Sequence, residues 1–292
     1  MAPTFAQLAD DLRAESDQII ALIDPLTPQR WNIETPAPGW TITDQIAHLA
    51  FFDDMATLGA VDPDEFRRQR AAAMADPVGI VDSAAQALRG KPCDEVYAWF
   101  VASRVALINA YAALPEGTRV PWYGPDMSAA SKITARIMET WAHGQDISDA
   151  LGVVRTPTRA LRNVAHIGVR TMANSFTTVG LDVPEVEVSV VLSSPDGATW
   201  TWGPAPEASS AERASTAGAS GRVAATSANS RALADDSISG SALDFCLVTT
   251  QRRHVDDTAL VVRGAVAHQW MSVAQAFAGP PGRGRARGQF AQ

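Results

Sequence analysis

The chain has 292 residues, 46% of them hydrophobic, with 24 basic against 32 acidic side chains, a formal net charge of −8 and a mean hydropathy of −0.04. That size and balance describe a folded protein of roughly two domains rather than a disordered one, and a pI of about 5.1 excludes the basic footprint of a nucleic-acid binder. Cys93 and Cys246, with no C-x-x-C spacing, exclude a disulfide framework and a thiolate zinc site.

The sequence carries acids by Asp10, has no basic n-region before an apolar h-region, and contains no run of about 18 apolar residues. A soluble, cytoplasmic protein with no membrane partner is therefore expected. From Thr4 to Ile23, Phe5, Leu8, Leu12, Ile19, Leu22 and Ile23 recur at helical spacing, and Pro25 ends the run. A connector closes on Pro36-Ala37-Pro38-Gly39-Trp40, after which Thr41 and Asp44 form a capping-box-like start to a second helix. Ile42, Leu49, Phe52, Met55 and Leu58 define its apolar arc; Asp44, Asp53 and Asp54 fall largely outside, and His48 falls inside. From this helix alone, His48 reads as a core histidine with one hydrogen-bond partner.

Helices are expected from Pro63 to Ala75 and, briefly, around Val81 to Leu88; a third long one runs from Asp94 to Leu114, stopped by Pro115-Glu116-Gly117. Pro121-Trp122-Tyr123-Gly124-Pro125 is a tight aromatic loop. A fourth long helix spans Ser128 to Leu151 and is closed by Gly152. Beside its apolar ridge of Ile133, Ile137, Trp141, Gly144, Ile147, Ser148 and Leu151 runs a polar stripe of Lys132, Arg136, Glu139, His143 and Asp146. Four long helices with such a stripe beside the seam are how bundles build metal sites.

The boundary falls at Thr156-Pro157-Thr158, giving a helical bundle over 1–155 and an α+β domain over 156–282. In the second, a helix runs from Thr158 to about Thr178. Val186, Val188, Val190 and Leu192 then alternate with polar residues as a strand, and Thr199-Trp200-Thr201-Trp202-Gly203 returns as a hairpin. Residues 205 to about 236 are rich in Ala, Ser, Thr and Gly and read as a flexible insertion. A buried helix through Leu243 to Val248, a short β-like run from Thr258 to Val262 and a helix from Val266 to Phe277 follow. The expected sheet is small and antiparallel, covered by helices, and 283–292 is a disordered tail.

Glu139 and His143 lie four apart, so on a helix a carboxylate oxygen and an imidazole nitrogen share one face and can reach one divalent ion. Such a pair alone is weak; a third donor on another helix's core face, His48, would complete a set that leaves a coordination position open. His166, His254 and His268 stand apart from other ligand types, and Met138, Met172 and Met271 read as packing residues.

Trp40-x-x-x-Asp44-x-x-x-His48-Leu49-Ala50, with Arg136-x-x-Glu139-x-x-x-His143-x-x-Asp146, is similar to the metal-binding pattern of the DinB-like superfamily. It most resembles the actinobacterial branch containing the mycothiol-dependent maleylpyruvate isomerases, well over residues 1 to about 152 and more weakly over a sterol-carrier-like second domain. The resemblance implies a DinB-like four-helix bundle in which His48, Glu139 and His143 bind a divalent metal, expected to be zinc, with water completing the site. It implies that Asp146 orients His143; Trp40 and Trp141, close to the ligands in sequence, are candidate walls of the pocket. The activity implied is isomerisation or transfer on a small electrophile by a low-molecular-weight thiol, mycothiol or one like it, held as thiolate. Arg136, and Arg252 or Arg253 from the second domain, are candidate clamps for an anionic substrate. A non-catalytic metal or small-ligand module and a metal-dependent hydrolase are the alternatives, and a homodimer is a candidate assembly.

Overall fold

The computed structural model describes residues 3–73, 91–204 and 236–290. The helix expected at 81–88 and nearly all of 205–236 lie outside the described residues. The chain divides into two compact units, Met1–Val164 and Ala165–Gln292.

The first unit is built on four long helices, α1 (Phe5–Ile23), α2 (Ile42–Val61), α4 (Cys93–Ala112) and α5 (Ala129–Leu151), with a shorter α3 (Pro63–Ala73) after α2. α2 packs on α4 and α5, and α1 on α5 and α4. The starts follow from local chemistry. Thr4 with Gln7, and Thr41 with Asp44, make reciprocal capping boxes, each cap being worth about 1 kcal/mol. Ser128 caps α5, and Gly152, at φ +66°, ends it in the left-handed conformation that glycine adopts without a Cβ clash. Between α4 and α5, β1 (Arg119–Val120) and β2 (Met127–Ser128) pair as a short antiparallel ladder that carries the Trp122–Tyr123 loop.

Two apolar clusters fill the bundle. One gathers Leu8, Leu12, Ala56, Leu107, Ile108, Tyr111, Ile133 and Ile137; the other gathers Ile19, Ile23, Ile42, Ile46, Leu49, Val96, Phe100 and Ile147. Each fully buried aliphatic side chain contributes about 1.5–3 kcal/mol. Each helix also supplies a polar residue, in sequence, between its contributions to the two clusters, Ser16, Asp53, Arg104 and Thr140, and α5 adds Arg136 one turn before Thr140. Arg104 Nε and Arg136 Nε donate to the two oxygens of Asp53 at 2.7 and 2.8 Å. Arg104 Nη1 donates to Ser16 Oγ at 3.1 Å and Thr140 Oγ1 at 2.9 Å, and Arg136 Nη2 to Leu49 O at 3.0 Å. Asp44 and Asp53, expected outside the apolar arc of α2, are both fully buried. Asp44 serves the cap, and Asp53 is sandwiched by arginines on the facing helices.

Gly144 lets α5 lie close to α1, since an added Cβ would meet Ile19 Cγ1 at 3.0 Å and Arg155 Nη1 at 3.1 Å. The chain leaving α5 is pinned back on α1: Arg155 pairs with Glu15, Thr158 donates to Glu15, and Arg159 Nε and Asn163 Nδ2 donate to Asp11 at 2.7 and 2.8 Å.

The helix expected over Thr158–Thr178 is two, α6 (Leu161–Arg170) and α7 (Met172–Thr178). The break at Thr171 follows from its hydroxyl, which donates back to Ile167 O at 2.9 Å and Gly168 O at 3.1 Å and bends the chain there. The strand starts later than the alternation suggests, as β3 (Ser189–Ser193), and β4 (Thr199–Trp202) returns beside it. The sheet is mixed rather than antiparallel. Its order is β4-β3-β5-β6, with β5 (Ser237–Ser241) parallel to β3 and β6 (Val261–Arg263) antiparallel to β5. β5, Ser-Ile-Ser-Gly-Ser, has one apolar residue, Ile238, and so carries almost no strand signal. α8 (Ala242–Thr249) follows it directly and buries Phe245, whose ring meets Trp270 edge-on at 5.9 Å. α9 (Ala265–Val273) stops short of Phe277 because the next amides bond elsewhere: Gln275 N–H to Ser175 Oγ at 3.0 Å and Ala276 N–H to Thr249 O at 2.8 Å. After Pro281, the expected tail makes contacts within this unit. Gly288 N–H donates to Asp257, and the Arg253 guanidinium lies 4.6 Å from the Phe290 ring centroid. Both cysteines are free thiols. Among the described residues no helix is long and apolar enough to cross a membrane.

Candidate metal centre

α2 and α5 bring His48, Glu139 and His143 together, with one donor atom from each lying within 4.8 Å of the others. Glu139 Oε2 stands 3.2 Å from His143 Nε2 and 3.6 Å from His48 Nε2. The two imidazole centroids are 4.4 Å apart. Both histidine side chains are almost fully buried, whereas the Glu139 side chain is 24% exposed, so the site opens to solvent on the carboxylate side.

The tautomer of His143 is set by a chain of hydrogen bonds starting in the connector before α2. The Thr35 hydroxyl donates to Trp40 O at 2.8 Å, which leaves its oxygen to accept from Gln45 Nε2 at 2.8 Å. The other end of that amide, Oε1, therefore faces His143 Nδ1, which must carry the proton it donates. His143 Nε2 is then a lone pair aimed at a carboxylate oxygen. Two acceptors at 3.2 Å require a cation or a proton between them. Donors around an ion at about 2.0–2.2 Å in tetrahedral geometry stand about 3.3–3.6 Å apart, close to the 3.2 and 3.6 Å that separate Glu139 Oε2 from the two imidazoles. His48 Nδ1 is buried without a hydrogen-bond partner among the described residues, a departure from the usual support of a ligating imidazole.

The electrostatics favour a neutral His48 and an ionised Glu139. Burial, then the neighbouring His143, push the His48 pKa down from 6.5 to about 4. For Glu139, burial raises the pKa, but hydrogen bonds and charges from His143 and His48 together carry it well below the ordinary carboxylate value. Neutral imidazoles and an ionised carboxylate are the forms that ligate.

Trp40 covers the pair, stacked on His143 at 5.9 Å and 22° and edge-on to His48 at 5.2 Å. Trp141 is buried, gives its carbonyl to Arg155 at 2.8 Å, and makes no ring contact with either histidine among the described residues. Arg136 is buried in the polar layer, with its Nε on Asp53 and its Nη2 on a backbone carbonyl. Asp146 is fully buried one turn beyond His143, and Gln45 Oε1 meets His143 Nδ1. Arg252 and Arg253 belong to the other unit, where Nη1 of Arg252 donates to Thr250 O at 2.6 Å and that of Arg253 to Arg252 O at 2.7 Å. His254 accepts from Asp256 N–H at 3.1 Å, and Trp202 Nε1 donates to His166 Nδ1 at 3.3 Å, both local structural contacts. Sequence reading missed Gln45 and Thr35; their one signal was a run of polar residues at the entry to a helix that carries a candidate ligand.

Residues 12–148 match the family model described as the mycothiol maleylpyruvate isomerase N-terminal domain. Two uncharacterized proteins of Mycobacterium tuberculosis, from strains CDC 1551 and H37Rv, are each 43% identical over 276 residues, covering 94% of this chain and 96% of theirs. Among solved structures, the mycothiol-dependent maleylpyruvate isomerase matches with a TM-score of 0.51 at 14% identity, over 86% of this chain and 90% of that one. A histidine-to-alanine mutant of that enzyme matches equally, at 15% identity. The chain therefore belongs to one family with the two mycobacterial proteins and shares its fold with the solved isomerase, and its residues 12–148, the bundle that holds the triad, belong to the mycothiol maleylpyruvate isomerase N-terminal domain family.

Proposed function

We propose that the protein binds one divalent metal, zinc by preference, through His48, Glu139 and His143, and uses it in a thiol-dependent isomerisation or transfer on a small electrophile. The observation that carries the reading is the convergence of His143 Nε2 and Glu139 Oε2, facing each other at 3.2 Å, with a third donor from His48 beside them. The donor set, two imidazoles and one carboxylate, is that of catalytic rather than structural zinc sites, which keep a position open. An ion held there supplies Lewis acidity, keeping a low-molecular-weight thiol such as mycothiol as thiolate.

The chain's own residues do the rest. Gln45 fixes which nitrogen of His143 is free to ligate, and Glu139 lies on the solvent side, where a thiol and its electrophile enter. Trp40 shields both imidazoles from water, which strengthens every electrostatic interaction behind it. The family likeness to a mycothiol-dependent isomerase supports the choice of thiol.

Metal content of protein purified without chelator is the direct test, comparing the native chain with His143→Ala. About one ion per chain in the first and a clear loss in the second is expected; equal content in both refutes the site. Calorimetry with mycothiol then tests the chemistry. Affinity that appears only in the metal-loaded protein supports thiol use, and its absence leaves a binding module or a metal-dependent hydrolase.

A further inference from the structure

Lys132, on α5, is buried like a core residue, and among the described residues no carboxylate pairs with it. It is 1% exposed, and among the described residues it makes no ion pair or hydrogen bond. Its Nζ lies 3.0 Å from the Trp122 ring centroid. Trp122 stacks on Phe66 at 5.8 Å and 12°, and meets Tyr123 at 5.0 Å and Phe52 at 6.0 Å. Phe52 in turn lies 4.6 Å from the His48 ring. One aromatic wall thus joins a ligand of the candidate metal centre to the lysine. Lys132 precedes Glu139 by seven residues, two turns back on the same helix face and about 10 Å along the axis. Between them Arg136 adds positive charge, its own carboxylate partner being Asp53 at 2.8 Å.

An ammonium in this position is dehydrated and repelled. Burial first, and Arg136 second, bring its pKa from 10.5 down to about 5, with Glu139 opposing. A lysine desolvated in an apolar pocket, or set beside a second cation, is the form that attacks carbonyl carbon.

We propose that Lys132 is a nucleophilic amine that condenses with small carbonyl compounds admitted along the aromatic wall beneath Trp122. The Nζ lone pair adds to the carbonyl carbon. The two amine protons and the carbonyl oxygen then leave as one water, a C=N bond replaces C=O, and no electrons are gained or lost. The planar rings of Phe52, Phe66, Trp122 and Tyr123 favour flat, conjugated carbonyl compounds over phosphates or sugars. Trp122 and Tyr123, on the short loop between β1 and β2, are themselves only half-buried, and a small molecule would reach the amine from that side. The inference stands apart from the metal reading, because an adduct on Lys132 is detected whether or not a metal is bound.

The test uses the full-length protein, with and without chelator, incubated with pyruvate and sodium cyanoborohydride at pH 6.5, then mapped by peptide mass spectrometry. The reductant converts an imine into a stable secondary amine. Lys91, the other of the two lysines, is the internal control; its side chain is 51% exposed and pairs with Glu95 at 3.5 Å. At that pH an ordinary lysine, of pKa about 10.4, is uncharged in only about one molecule in ten thousand. Labelling of Lys132 at least about tenfold faster than Lys91 is expected, allowing most of that difference to be lost to burial. Equal or faster labelling of Lys91, or no adduct on Lys132, overturns the proposal, since the amine is then either protonated or closed to small molecules.

Discussion

Replacing Asp53 by alanine should be among the most damaging single changes in the bundle. The carboxylate is fully buried and receives Arg104 Nε at 2.7 Å and Arg136 Nε at 2.8 Å, and both arginines are themselves buried. Removing one partner of a buried pair costs about 3–5 kcal/mol, because the charge left behind is neither hydrated nor paired. Two guanidiniums lose their counter-ion here, so a loss of at least about 3 kcal/mol is expected. The assay is urea unfolding in chelator, so that metal binding adds nothing to the folded state. Tryptophan fluorescence reports mainly on the first unit, which holds Trp31, Trp40, Trp99, Trp122 and Trp141. A triple variant, Asp53→Leu with Arg104→Met and Arg136→Met, separates charge from shape. It removes both stranded cations, and Ser16 and Thr140 keep their hydrogen bonds to Leu12 O and Arg136 O. It should therefore be more stable than Asp53→Ala. A single-variant loss below about 1 kcal/mol, or a triple variant no better than the single, would refute the reasoning.

Gln45→Leu frees His143 to carry its proton on either nitrogen, and a fall of about 10- to 100-fold in metal affinity is expected by competition with a chelating dye. In metal-free protein, stability should decline as pH falls. The folded pKa of His48, about 4, lies below the ordinary histidine value of 6.5, so the unfolded chain takes the proton first. Stability present above pH 6.5 is lost progressively toward pH 4, by about 3 kcal/mol at 1.36 kcal/mol per pH unit. Lys132, with its pKa of about 5, adds a loss of the same sign down to about pH 5, whereas Glu139, with its depressed pKa, contributes only below 4.5, so between pH 6.5 and 4.5 the His48 share is the part that remains in a Lys132→Met variant. A flat profile across that window would show that the imidazole is not held neutral. Gly144→Ala should cost about 1–3 kcal/mol by forcing α1 and Arg155 away from α5, read as a lowered urea midpoint with an unchanged slope.

What the sequence made legible was local. Thr41 with Asp44, and Gly152, mark helix ends because each acts on backbone within four residues. Glu139 and His143 were visible because helical spacing alone puts them on one face. The remaining parts of the site depend on register between helices. Gln45 meets His143 across 98 residues and Asp53 meets Arg136 across 83, and no periodicity links such positions. Asp53 was misplaced for a physical reason: a carboxylate off the apolar arc is solvent-facing by default, and only partners on α4 and α5 reverse that. β5 was lost for the opposite reason, since its pairing with β3 and β6 comes from backbone bonds that side chains do not announce.

The polar layer also explains how a site of three side chains on two helices is held in register. Gln45, His48, Leu49 and Asp53 follow one another on α2, as Arg136, Glu139, Thr140 and His143 do on α5. Arg136 binds both Asp53 and the Leu49 carbonyl, so a directional link lies one turn from Glu139 and adjoins His48 in sequence. Apolar packing alone tolerates sliding, and one helical turn, about 5.4 Å, would part the ligands altogether. Hydrogen bonds to a guanidinium do not tolerate it, because its donors are fixed in a plane. The layer therefore fixes the axial register of α2 against α5, and the Gln45–Thr35 chain fixes ring orientation. Asp53→Ala should accordingly weaken metal binding with every ligand intact, whereas a surface change such as Arg13→Ala, whose partner Asp10 is largely exposed, should leave it unchanged. Equal metal affinity in the Asp53 variant and the native chain would mean that the ligands find one another without the layer, and that its arginines serve stability alone.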